Sequence, residues 1–131
     1  MISFYLLYRY NFFDFNKITR SYHLDLLTIN SIFAGFLFTN LGIMVGFVDK
    51  QGVSNLEKAG YMDNYYNSIY FGLGFHVFSA IFSAVGFTLK AVRSEEVLLL
   101  LQLGTLYGGI IFFTKSILNI FKIIRKIRNS I

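Results

Sequence analysis

Cysteine, proline and tryptophan are absent from this chain, and charged residues fill only 15% of its 131 positions. Without cysteine there is no disulfide, no thiolate metal ligand and no cysteine nucleophile. The scarcity of charge excludes more. A soluble domain carries roughly 25% charged residues, because its surface must be wetted. With 55% hydrophobic residues and a mean hydropathy of +0.56, this chain cannot cover a globule with polar groups. Disorder is excluded too, since disordered chains are poor in apolar residues. What the chain does have is 16 Phe and 9 Tyr. With plentiful Ile, Asn and Lys, these are the residues of A+T-rich coding, which points to a low-GC bacterium, its phage or an organelle.

Three apolar runs are long enough to cross a bilayer, at about 24–48, 65–92 and 97–121. A bilayer core needs about 20 apolar residues of helix. Open strands cannot satisfy their backbone in lipid, and a run such as Val97-Leu98-Leu99-Leu100-Leu101 does not alternate as a barrel strand would. The expected fold is therefore all-α, a single transmembrane domain over 1–131 built as a three-helix bundle. The segment Met1–Phe13 is aromatic but short and contains Arg9. It lacks the layout of a signal peptide and reads as an interfacial stretch or a frayed end. Residues 49–64 read as the one sizeable polar loop. The connection at Arg93–Glu96 is so short that the second and third spans form an antiparallel hairpin. Tyr61, Tyr65, Tyr66 and Tyr70 read as an aromatic belt.

The net charge of +5 bears on topology rather than on nucleic acid, because Lys and Arg mark membrane flanks. With three spans, Arg9, Lys17, Arg20, Lys90 and Arg93 share one side. Lys50, Lys58 and the basic tail 122–131, with Lys122, Arg125, Lys126 and Arg128, share the other, a near tie. The density of the tail favours a cytoplasmic C-terminus; a re-entrant third segment or insertion both ways also accounts for the tie. Ile120, Ile124, Ile127 and Ile131 fall on one helical face of this tail. The tail thus continues the third helix as an orientation anchor, or as a segment that binds anionic lipid.

Small residues recur at helix-packing spacing. The first span carries Ser31, Gly35, Thr39, Gly42 and Gly46; the second Gly72, His76, Ser79, Ser83 and Gly86; the third Gly104 and Gly108. Lipid gives little hydrophobic gain to helix association, so close backbone approach and interhelical hydrogen bonds must supply it. A tightly packed bundle follows, its stripes meeting either within one chain or between chains, and three helices that bury little should join a homo-oligomer or a larger complex. His76, near the middle of the second span, is an ionisable residue at membrane depth and so a candidate functional group. The plainer alternative is a neutral imidazole bonded across the bundle, for example to Asn40 or Tyr107. Asn30 and Asn40 in the first span read as glue between helices. Asp25, Glu95 and Glu96 should lie at one membrane face, and Lys115 should snorkel to its boundary.

Catalysis has little support. The histidines His23 and His76 should sit at opposite levels of the bilayer, which leaves no metal site. No phosphate-cradling GxxxxGKS loop and no G-x-S-x-G elbow is present. No cofactor and no nucleic-acid partner are expected. The layout, three short-looped spans and a basic tail, is similar to that of phage holins and small membrane effectors, in layout and not in any motif. The expectation is a self-associating membrane protein, pore-forming or membrane-perturbing. The alternative is a non-catalytic accessory or assembly subunit of a larger membrane complex. A transporter coupled through His76 is the third reading. The expected location is a bacterial inner membrane or an organelle inner membrane.

Overall fold

The computed structural model describes residues 18–47, 51–58, 60, 62–92 and 95–128. Four α-helices follow one another: α1 Arg20–Gly46, α2 Gln51–Lys58, α3 Met62–Thr88 and α4 Glu96–Arg128, with a 3-10 turn at Lys90–Val92 between α3 and α4. No strand occurs among the described residues. Helices α1, α3 and α4 are each long and apolar enough to cross a membrane. At 1.5 Å per residue the 27 residues of α1 and of α3 run about 40 Å, enough for a hydrocarbon core of about 30 Å. The 33 residues of α4 run about 50 Å, so the helix continues past the apolar layer into its basic end.

The three long helices form one bundle in which α3 packs along both α1 and α4. The 3-10 turn makes α3 and α4 the expected antiparallel hairpin. Residues 51–58, expected as loop, instead form α2. Its polar sequence hides a short amphipathic helix whose Val53 is fully buried. Gly60, at φ +74°, follows α2, and its N–H bonds the Glu57 carbonyl at 2.9 Å. That left-handed position beyond a helix end favours glycine. The spans are also shifted from the expected limits: the first begins at Arg20 and the second closes at Thr88. The expected interfacial stretch at Met1–Phe13 lies outside the described residues.

The interior follows a repeat of seven. On α1 the buried set includes His23, Asn30, Leu37 and Met44. On α3 it includes Met62, Ile69, His76 and Ser83, with Gly72, Ser79 and Gly86 three residues further on. On α4 it includes Gln102, Gly109, Ser116 and Ile123. Seven-residue spacing keeps one seam facing its neighbours along the whole length, as in coiled coils and most helix bundles. The seam is divided by chemistry. Leu37, Met44, Val53, Met62, Ile69, Ile120 and Ile123 make an apolar core at the end that carries α2. His23, Asn30, His76, Ser79, Ser83 and Gln102 fill the other half with Leu26 and Leu99, while Ser68, Ser116 and Asn119 are buried beside the apolar core, Asn119 Nδ2 donating to Ser68 Oγ at 3.3 Å. Outside the bundle, Phe36, Phe38, Phe71, Phe78, Ile111 and Phe121 are exposed, as befits side chains solvated by lipid.

Candidate functional site

The polar half of the seam is assembled by close approach of α3 to both neighbours. Large side chains on one helix sit over glycines on the next. A Cβ on Gly72 would lie 2.9 Å from Leu37, one on Gly86 2.5 Å from the His23 ring, one on Gly108 3.1 Å from Phe75, and one on Gly109 2.6 Å from the His76 ring. Both imidazoles are therefore lodged against a glycine backbone. Of the expected packing residues, Gly72, Ser79, Ser83 and Gly86 are buried in the seam, and Gly108 takes Phe75. A Cβ on Gly104 would meet none of the described residues within 4 Å.

The α1 stripe is placed differently. Ser31, Gly35, Thr39, Gly42 and Gly46 are all exposed, and none of the described residues stands within 4 Å of a Cβ at Gly35, Gly42 or Gly46. The stripe takes no part in packing among the described residues. The reason is steric: α3 already supplies the small residues, so α1 presents the side chains that fill them.

Five residues from the three long helices form one chain of hydrogen bonds. The Asn30 amide donates to the Leu26 carbonyl and to Ser79 Oγ, each at 2.8 Å. A backbone carbonyl can only accept, so the amide nitrogen must be the atom facing Leu26, and Asn30 Oδ1 faces His76 Nδ1 at 2.8 Å. His76 therefore donates through Nδ1. Ser79 Oγ donates onward to the Gln102 carbonyl at 3.0 Å. Gln102 Nε2 donates to the Phe82 carbonyl at 2.9 Å and stands 3.1 Å from His23 Nδ1. By the same logic His23 accepts through Nδ1. Phe33 stacks on His76 at 5.0 Å between ring centroids. His76 Nε2 lies against the Gly109 backbone, and neither it nor Gln102 Oε1 makes a hydrogen bond of full geometry.

These contacts correct two expectations. His76 is bonded to Asn30, not to Asn40 or Tyr107. Asn40 instead donates to Ser116 Oγ at 3.2 Å, on a half-buried site nearer the apolar core. His23 and His76 do not stand at opposite faces. Ten residues of α1 separate His23 from Phe33, the partner of His76, so the two rings lie about 15 Å apart along the axis and are joined through Gln102, Ser79 and Asn30. Gln102, which the sequence reading passed over, is the link. Its signal was its place seven residues before Gly109 and fourteen before Ser116.

At the basic end Ile120 and Ile123 are buried, at 8% and 1% exposure, and Ile127 packs against the same core, whereas Ile124 is exposed at 44%. The expected face of Ile120, Ile124 and Ile127 is thus rotated toward Ile123, and Ile131 lies outside the described residues. Lys122, Arg125, Lys126 and Arg128 are all exposed, as are Asp25, Glu95, Glu96 and Lys115. At the opposite end the Arg20 guanidinium sits 4.0 Å over the Phe87 ring, a cation–π contact that ties the start of α1 to the end of α3. Tyr66 and Tyr70 stack at 6.4 Å, and Tyr65 and Tyr66 pack on the apolar core. Among the described residues no group of three His, Cys, Asp or Glu is placed to hold a metal ion.

Fold and seam together define an all-α integral membrane protein, a three-helix bundle closed by interhelical hydrogen bonds. Comparison with protein-family models, with curated proteins and with solved structures returns no match.

Proposed function

We propose that this chain is a non-catalytic accessory or assembly subunit of a larger membrane complex, docked through the outer face of α1. One contrast carries the reading. The buried amides and hydroxyls are engaged inside the bundle, while Gly35, Gly42 and Gly46 stand open on the outside. A pore wall needs polar groups turned to water, and the seam turns its own inward. A helix-docking face needs a smooth, small-residue surface that lets a second backbone approach. On that face the Ser31 and Thr39 hydroxyls bond back to the Leu27 and Gly35 carbonyls, at 2.9 and 3.0 Å, so they ask for no water. A helix of a larger membrane partner is the occupant this face suits. A bacterial inner membrane, or that of an organelle, is the location that the A+T-rich composition favours.

A membrane-perturbing homo-oligomer is the second reading, supported by the same outward stripe if Ser31 and Thr39 line a shared lumen. Expression of a tagged chain in its native membrane separates the two. The subunit reading expects recovery with a larger partner, an intact membrane potential, and loss of the partner on Gly42→Ile with Gly46→Ile. A collapsed potential with only self-association would replace it by the pore.

A further inference from the structure

We infer that the foot of α4 carries a binding site for one anionic phospholipid. An open groove runs there along the outer side of α4, lined among the described residues by Leu118, Phe121, Lys122, Ile124, Arg125 and Arg128, all of that one helix. Two chemistries meet in it at a fixed order along the helix. Leu118 and Phe121, exposed at 54% and 63%, come first and offer an apolar wall on the side of the span, which Ile124 extends between the cations. Lys122, Arg125 and Arg128 follow at steps of three residues, one helical turn apart on a shared side. An anionic phospholipid has the same order, with two chains below a phosphate of negative charge. Arg offers that phosphate a planar fork of donors, and Lys offers a point charge.

The groove lies away from the buried side of this segment, which is made by Ser116, Asn119, Ile120 and Ile123. The fourth cation of the tail, Lys126, does not line it. That separation distinguishes a site from a diffuse basic anchor. Each cation held near an anionic surface contributes roughly fivefold in affinity, so losing three lowers it roughly a hundredfold. A diffuse anchor would respond to all four residues alike. The inference rests on membrane residence and not on the proposed docking role of α1.

The test is native mass spectrometry of the full chain, purified from nanodiscs of phosphatidylcholine with and without phosphatidylglycerol, counting retained lipid. The intact chain is expected to hold one phosphatidylglycerol in preference to phosphatidylcholine. The variant Lys122→Ala with Arg125→Ala and Arg128→Ala should lose it, Arg125→Gln alone should weaken it several-fold, and Lys126→Ala should leave it within twofold. All these positions are exposed, so helicity by circular dichroism should persist; if the triple variant loses helix, Arg125→Gln against Lys126→Ala decides. Equal losses from Arg125→Gln and Lys126→Ala would overturn the site in favour of diffuse attraction. Displacement of the lipid by millimolar inorganic phosphate would assign the groove to a free anion instead. Retention that ignores all four cations would remove it altogether.

Discussion

His76 Nδ1 lies 2.8 Å from Asn30 Oδ1, and the other bonds of Asn30 fix His76 as the donor. Both amide hydrogens of Asn30 are taken by the Leu26 carbonyl and Ser79 Oγ, which leaves its oxygen as the only atom able to face the ring. Gln102 imposes the reverse on His23, whose Nδ1 accepts. Two histidines in one hydrogen-bonded chain are thus held in opposite tautomers. Tautomers are normally assigned rather than observed, but nitrogen-15 spectra of histidine-labelled protein in micelles report them directly. The expected result is one imidazole protonated at Nδ1 and one protonated at Nε2, with the first signal lost in His76→Leu. Two Nε2–H rings would contradict the bonding described.

Asn30 and Asn40 should differ sharply in what they contribute. Asn30 is fully buried and holds three partners on two helices; Asn40 is half-buried and holds one between helices, at 3.2 Å. Interhelical hydrogen bonds in membranes average about 0.6 kcal/mol and reach about 1.7, and stranding the His76 donor adds to the loss. Asn30→Ala is expected to lower stability by about 1–3 kcal/mol and Asn40→Ala by less than about 1, read from unfolding in mixed detergent micelles. Equal effects would show that the network does not act as a unit.

The glycines of α4 give a paired test of close packing. A methyl on Gly109 would enter the His76 ring, whereas one on Gly104 would meet none of the described residues within 4 Å. Overfilling a packed site costs about 1–3 kcal/mol, so Gly109→Ala should destabilise the bundle by that order. Gly104→Ala should be neutral or slightly stabilising through helix propensity, by up to about 1 kcal/mol. Thermal melting of the two variants in the same detergent compares them. A neutral Gly109→Ala would mean that α3 and α4 stand further apart than the His76 contact requires.

The spans, the hairpin and the inward face of α3 were legible in the sequence, and the inward face of α1 was not. Apolar runs of bilayer length are a direct physical signature, so α1, α3 and α4 emerged within a few residues of their limits. On α3 the small residues and the buried residues coincide, and Gly72, His76, Ser79, Ser83 and Gly86 were placed together. On α1 they diverge. Contact within the chain runs through His23, Asn30, Leu37 and Met44, while Gly35 and Gly42, expected to meet a helix of this chain or of another, face outward. The distinguishing feature was the spacing of seven, which hydropathy alone does not reveal because both faces of a lipid-embedded helix are tolerable. Helix α2 escaped for another reason: eight polar-rich residues are too few to display a period, and its anchor Val53 finds its place only against the finished core.

Val53 anchors α2 at its end of the bundle. Val53 and Ile123 belong to one buried cluster with Met44 and Met62, while Ile124, the next residue on α4, faces outward. Truncating a buried isoleucine in water costs about 2–5 kcal/mol. Here the separated helix face is solvated by lipid, so much of the transfer contribution is lost and the cavity contribution remains. Ile123→Ala is accordingly expected to cost about 1–3 kcal/mol, and Ile124→Ala less than about 0.5. Loosening of α2 should accompany the first variant only. Limited proteolysis near Lys58 reads that release: faster cleavage in Ile123→Ala and an unchanged rate in Ile124→Ala are expected. The reverse order would return the isoleucine face of the tail to the register first read from the sequence, with Ile124 inside.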